Sequence, residues 1–500
     1  MSLAVINTRA VLGVDAPLVS VEVHLSNGLP GFNIVGLPEA SVREARDRVR
    51  SALINSHFEF PAKKIIVNLA PADLPKEGGR FDLAIAIGII AASLPQSDFK
   101  THEYEFVGEL ALSGELRPVS GILPISVATK KAGMKLIIPT GNRDEACLVS
   151  DHEIFPANNL TAVYQHLLGT ASLAKSDTQV YQSQQVTDCD LGDIIGQFQA
   201  KRALTIAAAG RHNILFCGPP GTGKTMLATR LRSLLPDLSE EEALETATVQ
   251  SVARMPFDAQ HWRQRPFRSP HHTCSAAALV GGGSRPEPGE ISLAHNGILF
   301  LDELTEFPRK VLDVLREPLE AGEITVSRAS QKAIFPASFQ LIAALNPSPS
   351  GDINDRRHSP DQILKYLNRV SGPFLDRIDL QVNVPRLSKE ELRGAETIAT
   401  EDVKPKVLSA IEVQKFRSGK LNADLNNKDV STYCALDEEN QEFLETAMTR
   451  FKLSVRTMQR LLKVSRTIAD LEGSEAIQRT HLAEALGYRA LDRIIASLMS

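Results

Sequence analysis

The run Gly218 to Thr225, GPPGTGKT, narrows the fold of this chain more than any other feature. Before it, His212 to Cys217 (HNILFC) reads as a short buried strand, and after it MLATRLRSLLP reads as a helix. Strand, glycine-rich loop and helix in that order make a phosphate cradle. Gly218, Gly221 and Gly223 let the backbone turn tightly, so that the N–H groups of a loop also containing Pro219, Pro220 and Thr222 converge on an anion. Lys224 supplies a fixed positive charge, and the Thr225 hydroxyl is a ligand for Mg²⁺. The predicted ligand is ATP with Mg²⁺.

A second apolar run, Gly297-Ile-Leu-Phe-Leu, ends in Asp302 and Glu303. It is expected as a strand of a parallel sheet that delivers both carboxylates to the ligand-binding edge. There Asp302 would hold Mg²⁺ through water and Glu303 would orient and activate the attacking water, since γ-phosphoryl transfer asks mainly for positioning and charge neutralisation. A third run, Phe339 to Leu345, ends at Asn346, an amide expected at the same edge to position water. Further on, LDRID offers Arg377, either as a catalytic arginine for a neighbouring subunit's nucleotide or as a partner of Asp376 or Asp379 in its own turn.

With 500 residues the chain calls for two to four domains. From Val5 to about Leu168 strand-like runs (Val19 to Val23, Lys64 to Leu69, Leu136 to Pro139) alternate with helical ones (Glu39 to Asn55, Leu83 to Leu94), an α+β pattern. The expected division is an N-terminal domain over 1–169, a polar linker over 170–190, an α/β core with a parallel sheet over 191–385, and a helical C-terminal region over 386–500. Net charge of -5, 43% hydrophobic and 23% charged residues describe an ordinary soluble protein. Five scattered cysteines without CxxC spacing exclude a disulfide framework or zinc ribbon. The opening MSLAVINTRA lacks signal-peptide character, and the longest apolar run, Leu83 to Leu94, is too short to span a bilayer. A cytoplasmic location without membrane contact is expected.

GPPGTGKT, LIAALNP and GPFLDRIDL stand in AAA+ order, and RPFRSPHHTCS (Arg265 to Ser275), ALVGGG (Ala278 to Gly283) and PGEISLAHNGILFLDE (Pro288 to Glu303) are more specific still. Together they resemble the magnesium-chelatase-like AAA+ ATPases of the YifB/ComM family over nearly the whole chain. The resemblance implies a homo-hexameric motor acting on DNA, single-stranded, duplex or branched. It also implies branch migration in natural transformation or homologous recombination, with recombination proteins as further partners. Arg377 would then act in trans, Arg456 would be a second sensor arginine contacting nucleotide from a helical lid, and a hairpin before Asn346 would carry Arg328 and Lys332 into the ring's pore as DNA contacts. For either of these last two residues a solvated surface charge is an equally open reading.

The N-terminal domain resembles the Lon protease domain in PADLPKEGGRFDLAIAIG and VGELALSGELRPVSGILPI, yet Arg80 and Leu123 stand where a serine nucleophile and its lysine belong. A non-proteolytic domain is expected. Family members carry a cysteine cluster after the position of Asn346-Pro347, whereas this chain has Ser348 and Ser350, so no zinc is expected. His271, His272 and Cys274 are assigned to a loop near the pore rather than to a metal. On the helix Val455 to Leu471 the basic stripe Arg456, Arg460, Lys463 and Arg466 is left open between solvent, nucleotide, a neighbour and DNA. A chelatase motor and a protein-remodelling ATPase stand as competing readings.

Overall fold

Strands buried on both faces of a parallel sheet are unbroken apolar runs, and ILFC, ILFL and QLIAAL form such a sheet with every residue buried. The computed structural model describes residues 2–37, 39–94, 99–176, 181, 189–282, 286–327, 332–352, 357–388, 391, 397–451 and 453–499. The chain forms two units, Met1–Gln182 with Glu240–Trp262, and Ser183–Ser239 with Arg263–Ser500.

In the first unit, Leu18–Ser26 alternates strictly, with Val19, Val21, Val23 and Leu25 facing the core. It pairs antiparallel with Ser2–Arg9 on one side and Lys64–Ala70 on the other. Gly31–Val35 joins the latter in parallel, and Tyr104–Phe106, Lys135–Pro139 and Ile154–Ala157 extend the opposite side in parallel, completing a mixed seven-stranded sheet. The apolar run near residue 90 is the helix Asp82–Ser93, covered on nearly all sides. Gly88 is required there, because a Cβ would strike the Val23 side chain.

Residues 240–262, which the sequence reading placed inside the 191–385 core, belong to this first unit. The cause is apolar: Ala247 is buried with Leu123, Leu148 and Val149, and Leu244, Phe257 and Trp262 pack against them. Of the expected linker, 177–180 and 182–188 lie outside the described residues. Asp190 at its end is firmly tied, its Oδ1 accepting from the backbone N–H of Gly192 (2.9 Å) and of Thr400 (2.8 Å).

The second unit carries a five-stranded parallel sheet in the order Phe267–Arg268, Ile298–Leu301, Gln340–Leu345, Ile214–Cys217, Leu380–Asn383. Helices Phe198–Gly210 and Lys224–Leu234 bury apolar faces against it. The C-terminal part is helical, with Thr400–Ser418, Asn427–Tyr433, Glu438–Phe451, Val455–Leu471, Arg479–Gly487 and Ala490–Met499. Val407, Ala410, Leu461, Val464 and Ile468 share one core with the sheet. Among the described residues no helix is long and apolar enough to cross a membrane.

Candidate active site

Register decides what meets at the carboxyl edge of the sheet. Cys217 lies beside Leu345, and Leu301 beside Ala343, so the next residues of three strands, Gly218, Asp302 and Asn346, emerge together. Gly218 has no room for a Cβ, which would meet the Val384 carbonyl, while Gly221 and Gly223 take φ of 77° and 90°. The helix Lys224–Leu234 starts behind Gly223 with no side-chain cap, which leaves its first N–H groups pointing at the loop's mouth.

Lys224 is 8% exposed. Its Nζ donates to the carbonyls of Gly218 (2.7 Å) and Pro219 (2.9 Å) and to Asn346 Oδ1 (3.0 Å). Burial lowers its pKa, while Asp302, Cys217 and Glu303 pull the other way. A cation desolvated among neutral acceptors and flanked by uncapped helix N–H groups suits a polyphosphate. Thr225 Oγ1 donates to Asp302 Oδ2 at 2.8 Å, which puts two accessible oxygen ligands side by side, a donor set suited to Mg²⁺. Glu303 follows with φ 51°, a left-handed conformation costing on the order of 1 kcal/mol for a residue with a side chain. Thus Gly218 to Thr225, Asp302, Glu303 and Asn346 come together at one place.

Arg377 and Arg456 are elsewhere. Asn213, immediately before the strand Ile214–Cys217, donates through Nδ2 to the Arg377 carbonyl at 3.0 Å. Arg377 is therefore at the amino edge of the sheet, with the length of that strand, roughly 13 Å, between it and the phosphate loop. Its side chain is 7% exposed and is held by the carbonyls of Arg316 and Pro373 and by Glu320 Oε1 at 2.9 Å. Arg456, in the first turn of Val455–Leu471, pairs with the same Glu320 oxygen. Arg456 is thus not at its own chain's phosphate loop, as a lid sensor acting within the subunit would be. The reason is that the helix Val455–Leu471 begins at the amino edge, where its Arg460 also pairs with Asp379.

Asp379, one of the partners considered for Arg377, is instead taken by Arg460 (2.5 Å) and His212 (3.3 Å). Burial alone would raise its pKa, but the Arg460 guanidinium, the hydrogen bond from the His212 ring and the Asn213 N–H hold it well below the usual carboxylate range. The basic stripe turns inward at its other members too: Lys463 Nζ donates to the Ala423 carbonyl at 2.9 Å, and Arg466, 3% exposed, pairs with Asp470.

The expected hairpin is present as Glu323–Ser327 paired with Lys332–Pro336, with Lys332 exposed at its end. Arg328 lies outside the described residues. Ser348 Oγ donates to the Asp352 carbonyl at 2.8 Å and contacts Ser350 Oγ at 3.2 Å, a hydroxyl brace where thiols were expected. His271 and His272 stack at 4.1 Å without converging on Cys274; His271 bonds the Thr273 hydroxyl, and His272 Nδ1 meets Glu303 Oε2 at 3.3 Å.

Sequence reasoning missed three residues. Gln197, at φ 51°, donates through Nε2 to the Pro385 carbonyl (2.8 Å) and reaches the Thr222 carbonyl (3.5 Å), bracing the loop from behind. Nothing in its local sequence announces this. Glu320 has no motif around it either. His272 stood in a motif, but its partner is visible only through strand register.

Sheet order, phosphate loop and paired carboxylates define an AAA+ ATPase of the magnesium-chelatase type. Family models described as subunit ChlI of Mg-chelatase, magnesium chelatase subunit ChlI, and magnesium chelatase subunit ChlI C-terminal match residues 21–142, 190–392 and 397–489. The chain belongs to the YifB/ComM family: it is 56% identical to the competence protein ComM of Haemophilus influenzae over 100% of this chain and 99% of that protein. It is 53% identical to YifB of Escherichia coli over the same shares. The magnesium-chelatase 38 kDa subunit of Rhodobacter capsulatus is 27% identical over 58% of this chain and 83% of that subunit.

Proposed function

We propose that this protein is a cytoplasmic, homo-hexameric DNA motor that migrates branches during uptake or recombination of single-stranded DNA. The observation that carries the ring is the division of one site between two edges of a sheet. Lys224, Thr225, Asp302, Glu303 and Asn346 stand at the carboxyl edge, and Arg377 and Arg456 at the amino edge. A head-to-tail neighbour supplies what each edge lacks, and such contacts close into rings. In this reading Arg456, like Arg377, serves the next subunit's nucleotide.

Lys224 leaves its carbonyl acceptors for the β- and γ-phosphates, and Asn346, freed from Lys224, orients water. Glu303 takes the proton of that water as its oxygen attacks the γ-phosphorus and the bond to the bridging oxygen breaks. Mg²⁺, when bound by Thr225 and Asp302, neutralises charge on the phosphate oxygens. The two arginines stabilise the charge that develops.

The DNA part of the reading is supported by the hairpin with its exposed Lys332 and by likeness to a protein named for competence. Arg328 is proposed beside Lys332 as a backbone contact. The first unit is read as a Lon-like domain that handles partners. Leu123, buried among Leu148, Val149 and Ala247, supports the loss of proteolytic chemistry there.

The test is the steady-state ATPase rate with and without single-stranded, duplex and four-way-junction DNA, with Glu303→Gln as blank. Stimulation by single-stranded or branched DNA that falls as salt rises is expected. A dead blank with no response to any DNA would retain the ATPase and remove the DNA motor in favour of protein remodelling.

A further inference from the structure

In-line displacement carries the γ-phosphorus away from ADP and toward the attacking oxygen, and in the reading above that oxygen is held by Glu303 and Asn346. Beyond these two residues lies a cavity of about 590 Å³, with Glu303 and Asn346 on one side and Gln362, Lys365, Tyr366 and Arg369 on the other. No step described so far uses it.

The far wall is the helix Pro360–Leu367, which Ser359 caps through a reciprocal pair with Gln362 and which buries Ile363, Tyr366 and Leu367. Thr305, just past Glu303, donates to the Tyr366 hydroxyl at 2.6 Å, so the helix is fastened to the segment that bears the carboxylate. The near wall is fastened to the phosphate loop. Gly351, in the loop that follows Asn346, has φ 88° and lies so close to Pro220 that a Cβ would strike its ring. Gln362, Lys365 and Arg369 recur at intervals of three and four, all exposed, and form one stripe along the cavity. Gln362 Oε1 accepts from the Ser359 N–H at 3.0 Å, which leaves its amide N–H groups as donors. Arg369 is committed: it pairs with Glu306 at 3.5 Å and stands over the Tyr366 ring, 5.5 Å from the centroid. Lys365 has no such partner among the described residues, so its ammonium is the cation left for a ligand.

We propose that this cavity is the departure site of the cleaved phosphate, with Lys365 its cationic ligand and the Gln362 amide a second donor. The inference rests on the reading of Glu303 and Asn346 as the groups that hold the attacking water. Once the bond from the γ-phosphorus to the bridging oxygen has broken, Glu303 carries the water's proton and is neutral, so it does not repel the phosphate beside it. An anion with ADP behind it and an unpaired ammonium ahead moves toward the ammonium. Because Lys365 is exposed to water, its hold is weak enough to let the product go. Inorganic phosphate thereby leaves while ADP stays on the phosphate loop.

The experiment follows the phosphorus NMR line width of inorganic phosphate titrated onto full-length protein saturated with ADP and Mg²⁺, for wild type, Lys365→Ala and Lys365→Arg. Phosphate should bind Lys365→Ala about tenfold more weakly than wild type, the loss of one charge-assisted contact, and Lys365→Arg should restore the binding. A fluorescent ADP analogue titrated in parallel should bind all three alike, which separates loss of a ligand from loss of the fold. Undiminished phosphate binding by Lys365→Ala overturns the proposal, because Lys224 would then hold the anion alone; absence of broadening on wild type overturns it too. Weakened DNA binding by Lys365→Ala with phosphate binding intact also overturns it and makes Lys365 a contact to the nucleic-acid backbone. The titration needs no turnover. Normal hydrolysis in Glu303→Gln would remove the catalytic reading, and the titration would still decide whether Lys365 binds phosphate.

Discussion

At Lys224 a cation is placed where burial penalises it, and the penalty is offset only by carbonyls and an amide of its own neighbourhood. Those acceptors are neutral, so an incoming polyphosphate gains the whole attraction of a desolvated charge. Removal of the charge and removal of the carboxylate proposed to activate water must therefore have different consequences. Lys224→Ala is expected to abolish binding of a fluorescent ATP analogue. Glu303→Gln is expected to bind the analogue as wild type does and to lose turnover by two orders of magnitude or so. Normal ATPase activity in purified Glu303→Gln would remove Glu303 from its role. Both residues were legible in the sequence, because a phosphate loop and an apolar strand ending in carboxylates are local patterns. The partners of Arg377 were not, since Glu320 lies 57 positions away with no pattern linking the two.

Among the elements, the helix Asp82–Ser93 combines an apolar body with a buried acid at its start. Asp82 is 0% exposed and takes a bidentate pair from Arg48 (2.8 and 3.1 Å), yet burial outweighs that pair and raises its pKa to about 6. Because the folded-state pKa lies above the unfolded value, the protonated acid favours folding. That contribution is fully present below about pH 4 and is lost as pH rises through about 6. The melting temperature of the first unit should therefore fall between pH 4 and pH 6, measured by differential scanning calorimetry. In Asp82→Asn, which cannot titrate, this part of the slope should vanish; an identical slope in the variant would refute the assignment. The helix itself was readable from its apolar run, whereas the segment 240–262 was not. Its mixed composition resembles a surface helix, and only packing of Leu244 and Ala247 beside Leu123 reveals its place.

For the whole molecule the decisive feature is that the sheet separates the phosphate loop from Arg377 and Arg456. If each chain holds half of two sites, defects in different halves must complement. Lys224→Ala and Arg377→Ala proteins should each be inactive alone. Mixed before assembly, they should regain part of the wild-type ATPase rate, because some interfaces then join an intact loop to an intact arginine. Failure to regain activity, with mixed rings demonstrated by size-exclusion chromatography of differently tagged subunits, would show that the arginines do not act in trans.

The sequence by itself determined the phosphate loop, the carboxylate pair, the apolar strands that carry them and the broad order of α+β, α/β and helical parts, since each is written in consecutive residues whose spacing obeys helix or strand geometry. Tertiary structure alone decided that Asn346 receives Lys224, that His272 meets Glu303, that Glu320 gathers two arginines, and that residues 240–262 leave their neighbours in the chain. These depend on strand register and on which apolar faces bury one another, quantities set by packing across tens or hundreds of residues.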